Sequence, residues 1–441
     1  MTHFVRNHAR AARAFNRIYP LLALVVGSFG CGSPSDTTAL REAPAGSGGL
    51  GNGGTANGLP SEGGASGDGG GGRSCELKSA PRSGGVLAEL RTARFNADAR
   101  ADVVASQPAC CGAPLSDSKQ IYLFTGAADG ALDELTTFEL EQGPAKAFPA
   151  DFNGDQLSDV LVLTEGPLTD GAPRPWGVHV FLNDAAGSFQ RQAPADTSAL
   201  GDAYFWGLGD FNSDGIADLA FYGQPLPSDP PSSRVSVLLG DGDGAFGEPI
   251  ATVVLYGSAL PPAAAPDASD IVLGSILLDS LGDGTFDLAQ LPTEMNASRV
   301  DINLDGMPDF ILGAGDKVQI FVTSADGESP AAPTYELNAP GAGAAGAAIG
   351  DFDGDGRLDI ASSSFANVPQ KGWLSVHFGR DDGSFSDAWT RELILANGVG
   401  MHHQASLTVG DIDGNGASDL LANALVSTDH PEVGFFAVQC D

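Results

Sequence analysis

The sequence predicts an all-β protein: a seven-bladed β-propeller with four-stranded blades over residues 75–441, preceded by an export signal and a disordered Gly/Ser linker. Three observations carry that expectation. A short acidic stretch recurs along the chain, a glycine turn recurs in phase with it, and no helical periodicity lies between them.

The acidic stretch reads "DFNGDQLSDVL" from Asp151, "DFNSDGIADLA" from Asp210, "DINLDGMPDFI" from Asp301, "DFDGDGRLDIA" from Asp351 and "DIDGNGASDLL" from Asp411. A further copy, "RFNADARADVV" from Arg94, keeps the frame but loses its first carboxylate. The steps are 57, 59, 91, 50 and 60 residues, and the long one holds a worn unit whose "SDIVL" ends at Leu273. That makes seven units.

The second signal follows each acidic stretch: an apolar run, a spacer, another apolar run and a glycine turn, as in "FLNDAAGSF" from Phe181, "LLGDGDGAF" from Leu238, "LLDSLGDGTF" from Leu277 and "HFGRDDGSF" from His377. "LFTGAADGAL" from Leu123 and "IFVTSADGES" from Ile320 are weaker copies. Asp-Gly between alternating apolar residues marks a hairpin. Each unit therefore reads strand, acidic loop, strand, spacer, strand, turn, strand, and four short strands per about 40–60 residues is the pattern of a propeller blade.

Ring closure is legible too. The seventh unit stops at "EVGFFAVQCD" without a fourth strand, while "CELKSAP" precedes the first unit, so the N-terminal segment is expected to complete the last blade. Cys75 and Cys440 then fall on strands that must pair. Four cysteines beyond Cys31 allow three connectivities. Cys75 with Cys440 and a vicinal Cys110–Cys111 bridge is the favoured one, with two separate thiols at Cys110 and Cys111 as the alternative.

Residues 1–30 carry Arg6, Arg10, Arg13 and Arg17, no acid, and the apolar run "IYPLLALVV", as a secretory signal does. Cys31 follows Gly30 as the lipid-bearing cysteine of a bacterial lipoprotein does, although Ser28 stands where Leu is usual. Ordinary cleavage after Ser28 and Gly30 is the alternative. Residues 31–74 form a Gly/Ser-rich tether with a mean reach of roughly 35 Å. The expected location is the cell envelope or outer-membrane surface, or the exterior if no lipid is attached.

Charge narrows the partners. With 56 acidic residues against 22 basic ones the chain stands at −34, or −38 once residues 1–30 are removed. Such a chain repels phosphate backbones, which excludes nucleic acid and makes cations natural partners.

Acidic or amide side chains at positions 1, 3, 5 and 9 of each stretch, with a backbone carbonyl at 7 and Gly at 6, wrap a calcium ion in oxygen. Without an ion, two carboxylates 4 Å apart repel by about 4 kcal/mol at an effective dielectric near 20. An EF-hand would need a bidentate Glu at position 12, but Val162, Phe221, Leu312, Ser362 and Ala422 stand there and the residues around them read as strands.

Residues 75–441 resemble the FG-GAP or VCBS repeat family, whose best known relative is the integrin alpha-subunit head, a seven-bladed propeller with calcium in loops on one face. The resemblance implies about five Ca2+ ions. It implies side-chain ligands Asp151, Asn153, Asp155, Asp159; Asp210, Asn212, Asp214, Asp218; Asp301, Asn303, Asp305, Asp309; Asp351, Asp353, Asp355, Asp359; and Asp411, Asp413, Asn415, Asp419. Carbonyls of Leu157, Ile216, Met307, Arg357 and Ala417 would join them. Gln156 stands where the other four loops have Gly at position 6. Arg94 and the worn unit should leave the first and fourth blades without metal.

No catalytic constellation stands outside the repeat. There is no HExxH, phosphate loop or Ser-His-Asp order, and of the adjacent His402 and His403 at most one would enter a given site, because neighbours on a strand face opposite sides. The expected function is a monomeric, calcium-binding, surface-tethered binding or adhesion module for a protein or glycan. A sugar lectin, or a polysaccharide hydrolase or lyase with a site in the central funnel, is the alternative.

Overall fold

The structure is a computed structural model. It describes residues 75–79, 89–106, 119–141, 145–165, 176–200, 203–223, 232–255, 270–273, 276–290, 298–305, 307, 309–324, 330, 332–340, 343–367, 370–386, 388–393, 407–425 and 433–440. The expected signal segment, Cys31, the linker, Cys110, Cys111, His402 and His403 lie outside the described residues.

The described chain is all-β apart from one 3-10 turn at Ser198–Leu200. Its strands form seven antiparallel sheets, six of four strands and one of three. The first sheet runs β2 (Glu89–Ala93), β3 (Asp102–Ser106), β4 (Gln120–Gly126), β5 (Leu132–Glu139); the second β6 (Ala145–Ala150), β7 (Asp159–Glu165), β8 (Trp176–Asn183), β9 (Phe189–Arg191). The third runs β10 (Ala203–Gly209), β11 (Asp218–Gly223), β12 (Ser232–Leu238), β13 (Ile250–Leu255). The fourth has three strands among the described residues, β14 (Ile271–Leu273), β15 (Ile276–Ser280) and β16 (Phe286–Gln290). The fifth is β17 (Ser298–Val300), β18 (Asp309–Ala314), β19 (Lys317–Phe321), β20 (Tyr335–Asn338), and the sixth β21 (Gly343–Gly350), β22 (Asp359–Asn367), β23 (Gln370–His377), β24 (Trp389–Leu393).

The last sheet joins the two ends of the domain. Its order is β1 (Cys75–Ser79), β27 (Val433–Cys440), β26 (Asp419–Leu425), β25 (Leu407–Gly410), with Cys75 opposite Cys440 in register and bonded to it. The N-terminal strand completes the sheet that the C-terminal segment leaves one strand short.

Sheets face sheets, which explains the sequence pattern of the second strand in each unit. A strand covered on both faces needs no polar side, so it reads as a continuous apolar run. Val160, Leu161, Val162 and Leu163 are all buried, whereas β5 at its sheet's outer edge is mostly exposed or half-buried. Among the described residues the core forms six clusters, each shared by two sheets. They join first to second, second to third, third to fourth, fifth to sixth, sixth to seventh, and seventh back to first. In the closing cluster Ile412 and Leu421 pack with Leu90 and Val103.

Candidate metal centre

In six of the sheets an acidic stretch connects the first and second strands and its ninth residue opens the second strand; in the fourth, the equivalent residue is Asp270, just ahead of β14. That residue is buried in all seven sheets: Asp102, Asp159, Asp218, Asp270, Asp309, Asp359 and Asp419. A buried carboxylate must have donors. Oδ2 accepts the amide of position 2, from Phe95, Phe152, Phe211, Ile302, Phe352 and Ile412, at 2.6–2.9 Å. Oδ1 accepts an amide just at or beyond the end of the third strand, from Gly126, Asn183, Gly240, Ser280, Thr323 and Gly379. Burial pushes the carboxyls of Asp102, Asp159 and Asp218 up to about 6 and Asp359 to about 7, against the pull of these amides, and nearby loop carboxylates add to the rise.

The third-strand residue was not singled out by the sequence reading. Its signal is the small or polar residue closing each apolar run, as in "LFTG", "FLN", "LLG" and "HFG". At Gly126 and Gly379 a Cβ would lie 2.5 Å from the carbonyl of Ala101 and of Leu358, so only glycine lets the amide approach there.

The loop itself is wound by its own carboxylates. Asp351 accepts amides of Asp355 and Gly356, Asp353 accepts that of Asp355, and Asp355 that of Arg357. Asp210 accepts the amides of Asp214 and Gly215 in the same way, and Asp411 those of Asn415 and Gly416. Position 6 is left-handed: Gly215, Gly356 and Gly416 have φ of 88, 85 and 91°, and Gln156 follows them at 71°. Position 4 is left-handed as well, in Gly154, Ser213, Leu304, Gly354 and Gly414, which the sequence reading did not anticipate. Successive loops are also linked, the amide at position 8 meeting the position-1 carbonyl of the loop before: Ser158 to Arg94, Ala217 to Asp151, Ser418 to Asp351.

Two acidic trios gather their oxygens within 4.8 Å: Asp351, Asp353 and Asp359, and Asp411, Asp413 and Asp419. These are positions 1, 3 and 9 of their loops. Asp355 at position 5 pairs with the Arg357 guanidinium. In the loops at 151, 210 and 301 the third position is Asn153, Asn212 or Asn303, whose amide nitrogen donates to Asp155, Asp214 or Asp305. Leu157, Ile216, Met307 and Ala417 sit at position 7, as expected for a residue offering only its carbonyl. The donors are hard oxygens throughout, which suits a calcium-like cation and no soft metal.

The sequence profile of the FG-GAP-like repeat family matches residues 151–221 and 301–362. The chain carries FG-GAP-like repeats. Each matched segment spans two of the acidic loops with the strands between them, those at 151 and 210 and those at 301 and 351, and the loops at 94 and 411 share the fold of those repeats. No curated protein matches the sequence. Among solved structures, an Agrocybe aegerita lectin that recognises non-reducing terminal N-acetylglucosamine is 15% identical, covering 80% of this chain and 79% of its own, at a TM-score of 0.32. The Photorhabdus luminescens Tc holotoxin pore is 17% identical over 83% of this chain and 15% of its own, at 0.35. The S. cerevisiae core factor is 8% identical over 84% and 61%, at 0.45. These likenesses are too distant to assign a role to any residue.

Of the tryptophans, Trp206 lies against Tyr222 and Trp389 packs on the core between the sixth and seventh sheets. Both serve packing. A polar pocket of about 430 Å³ opens between the fifth and sixth sheets, lined by Asp316, Asn338, His377 and Thr390 among others.

Proposed function

We propose that this chain is a calcium-stabilised, non-catalytic binding module: a seven-bladed FG-GAP-like propeller in which the three-stranded sheet is the worn blade. The observation that supports calcium most directly is the convergence of Asp351, Asp353 and Asp359, and of Asp411, Asp413 and Asp419, on points within reach of one ion. Up to five ions would be held, by the loops at 151, 210, 301, 351 and 411, and would relieve repulsion that the loop amides only partly offset. Residues 1–74 would export the module and tether it to the cell envelope through Cys31. Its partner would be a surface protein or a glycan.

Calcium titration of the full chain by calorimetry, with melting measured in calcium and in chelator, tests this reading. A ligand that binds only the folded state raises Tm. Saturable uptake of several ions and a Tm that drops in chelator are expected; no uptake and an unchanged Tm would sink it.

The pocket between the fifth and sixth sheets supports a second reading, a glycan-binding propeller. Asp316, Asn338 and Thr390 offer the carboxylate, amide and hydroxyl groups that hold sugar hydroxyls. Signal on a glycan array that disappears in Asp316→Ala and Thr390→Ala supports it, and a blank array leaves the protein partner.

A further inference from the structure

Two loops carry arginine at position 7, and the two side chains do the same thing. In the first loop Arg100 donates from Nε to the carbonyl of Gly126 at 2.7 Å and from its guanidinium to Asp98 at 2.5 Å. In the 351 loop Arg357 donates from Nε to the carbonyl of Gly379 at 3.1 Å and pairs with Asp355, and a third arm reaches Asp381 at 2.9 Å. Asp98 and Asp355 are the position-5 residues. Gly126 and Gly379 are the residues whose amides anchor the position-9 carboxylates Asp102 and Asp359.

The guanidinium thus joins position 5 to the glycine whose amide holds position 9. A bound divalent ion would join the position-5 and position-9 carboxylates themselves. The planar fork of arginine can satisfy both acceptors at once, which a lysine cannot. At the other positions 7 stand Leu157, Ile216, Met307 and Ala417, which bring no charge. In the first loop the replacement is complete. Arg94 removes the position-1 carboxylate, and the formal charges of Arg94, Asp98, Arg100 and Asp102 cancel. In the 351 loop it is partial, because Asp351, Asp353 and Asp359 still converge while the guanidinium engages Asp355.

We infer that Arg100 and Arg357 are built-in cations: Arg100 takes the place of the metal in the first loop, and Arg357 competes with a divalent ion for Asp355, weakening calcium binding at the 351 loop. The inference rests on the calcium reading above and adds a residue that sets affinity. Two arginines at the same position of two separate loops, with the same pair of acceptors, distinguish it from an incidental surface ion pair.

The test is calcium calorimetry and melting on the full chain, with Asp351→Asn identifying the component due to the 351 loop. Arg357→Gln should tighten that component by about tenfold without changing the number of ions, since a cation is removed from beside the site. Arg100→Gln should lower Tm equally in calcium and in chelator and leave uptake unchanged, with Arg100→Lys intermediate. Arg94→Asp alone should gain no ion, whereas Arg94→Asp with Arg100→Gln should gain one. Unchanged affinity in Arg357→Gln beside a calcium-binding wild type overturns the inference, and so does an added ion in Arg94→Asp alone. A wild type that takes up no calcium overturns the calcium reading itself and the Arg357 half with it.

Discussion

The amide of Ala101 donates to the carbonyl of Asp411 at 2.6 Å, joining the first acidic loop to the last. It is the same position-8 to position-1 link that ties Ser158 to Arg94 and Ser418 to Asp351, so the chain treats its end and its beginning as ordinary neighbours. The core agrees, since Leu421 and Ile412 pack against the first sheet. The Cys75–Cys440 disulfide fixes that closure covalently across 365 residues of sequence.

A cross-link over so long a span removes much freedom from the unfolded chain. Cys75→Ala with Cys440→Ala should fold but lose about 2–5 kcal/mol of stability. Denaturant melts with and without reductant check this: the wild type should fall to the variant's midpoint on reduction while the variant itself does not move. Equal midpoints in all four samples would show that the strand pairing alone closes the domain.

The position-9 aspartates should divide by loop. Asp102 holds Phe95 and Gly126 in a loop whose first position is Arg94, which offers no ligand, so Asp102→Ala should destabilise by about 2–4 kcal/mol and leave ion uptake intact, two buried amides having lost their acceptor. Asp359→Ala breaks the equivalent pair of bonds to Phe352 and Gly379 and also strips one member of an acidic trio. It should lose stability and one ion together. Identical ion counts in the two variants would contradict this division.

Much of this was legible in the sequence because it repeats. The frame of Asp351, Asp353, Asp355 and Asp359 is local, so periodicity located the loops, and the missing fourth strand after Val433–Cys440 pointed to the N-terminal segment. What periodicity could not reveal is what lies across the sheet. The third-strand amides that clamp position 9 come from Gly126 or Gly379, some 20 residues along, and their meaning depends on register. Nor does a one-letter repeat show that Arg357 turns toward Asp355, because a side chain of that length chooses among several acceptors only once the fold has placed them. The left-handed backbone at position 4 was masked for a plainer reason: Ser213 and Leu304 occupy it beside three glycines.

Those exceptions are testable strain. A non-glycine residue held at positive φ costs about 1 kcal/mol or more. Leu304, at 58°, is also 66% exposed and contributes little to the core. Leu304→Gly and Gln156→Gly should each raise stability by about 1 kcal/mol in chemical melts, against the usual direction of glycine substitutions. Gly356→Ala, at 85°, should lower it by a similar amount. A loss of stability in Leu304→Gly would mean that its side chain makes a contact worth more than the strain.

The buried aspartates set a pH dependence with a definite sign. In the unfolded chain they titrate near 3.9, while in the fold burial raises Asp102, Asp159 and Asp218 to about 6 and Asp359 to about 7. Between about pH 4 and pH 7 the folded state therefore holds protons that the unfolded state has released. Stability must fall as pH rises through that window and level off above it. Calcium works in the opposite sense, because an ion favours the ionised carboxylates. In chelator, Tm should be higher at pH 5 than at pH 7.5, and the gap between calcium and chelator should widen over the same interval. Asp102→Asn removes one of these groups from a loop expected to hold no ion, so it should flatten the chelator curve without touching the calcium effect. A chelated protein whose Tm rises from pH 5 to pH 7.5 would mean that the amides of Phe95, Phe152, Phe211 and Phe352 outweigh burial and keep these carboxylates ionised in the fold.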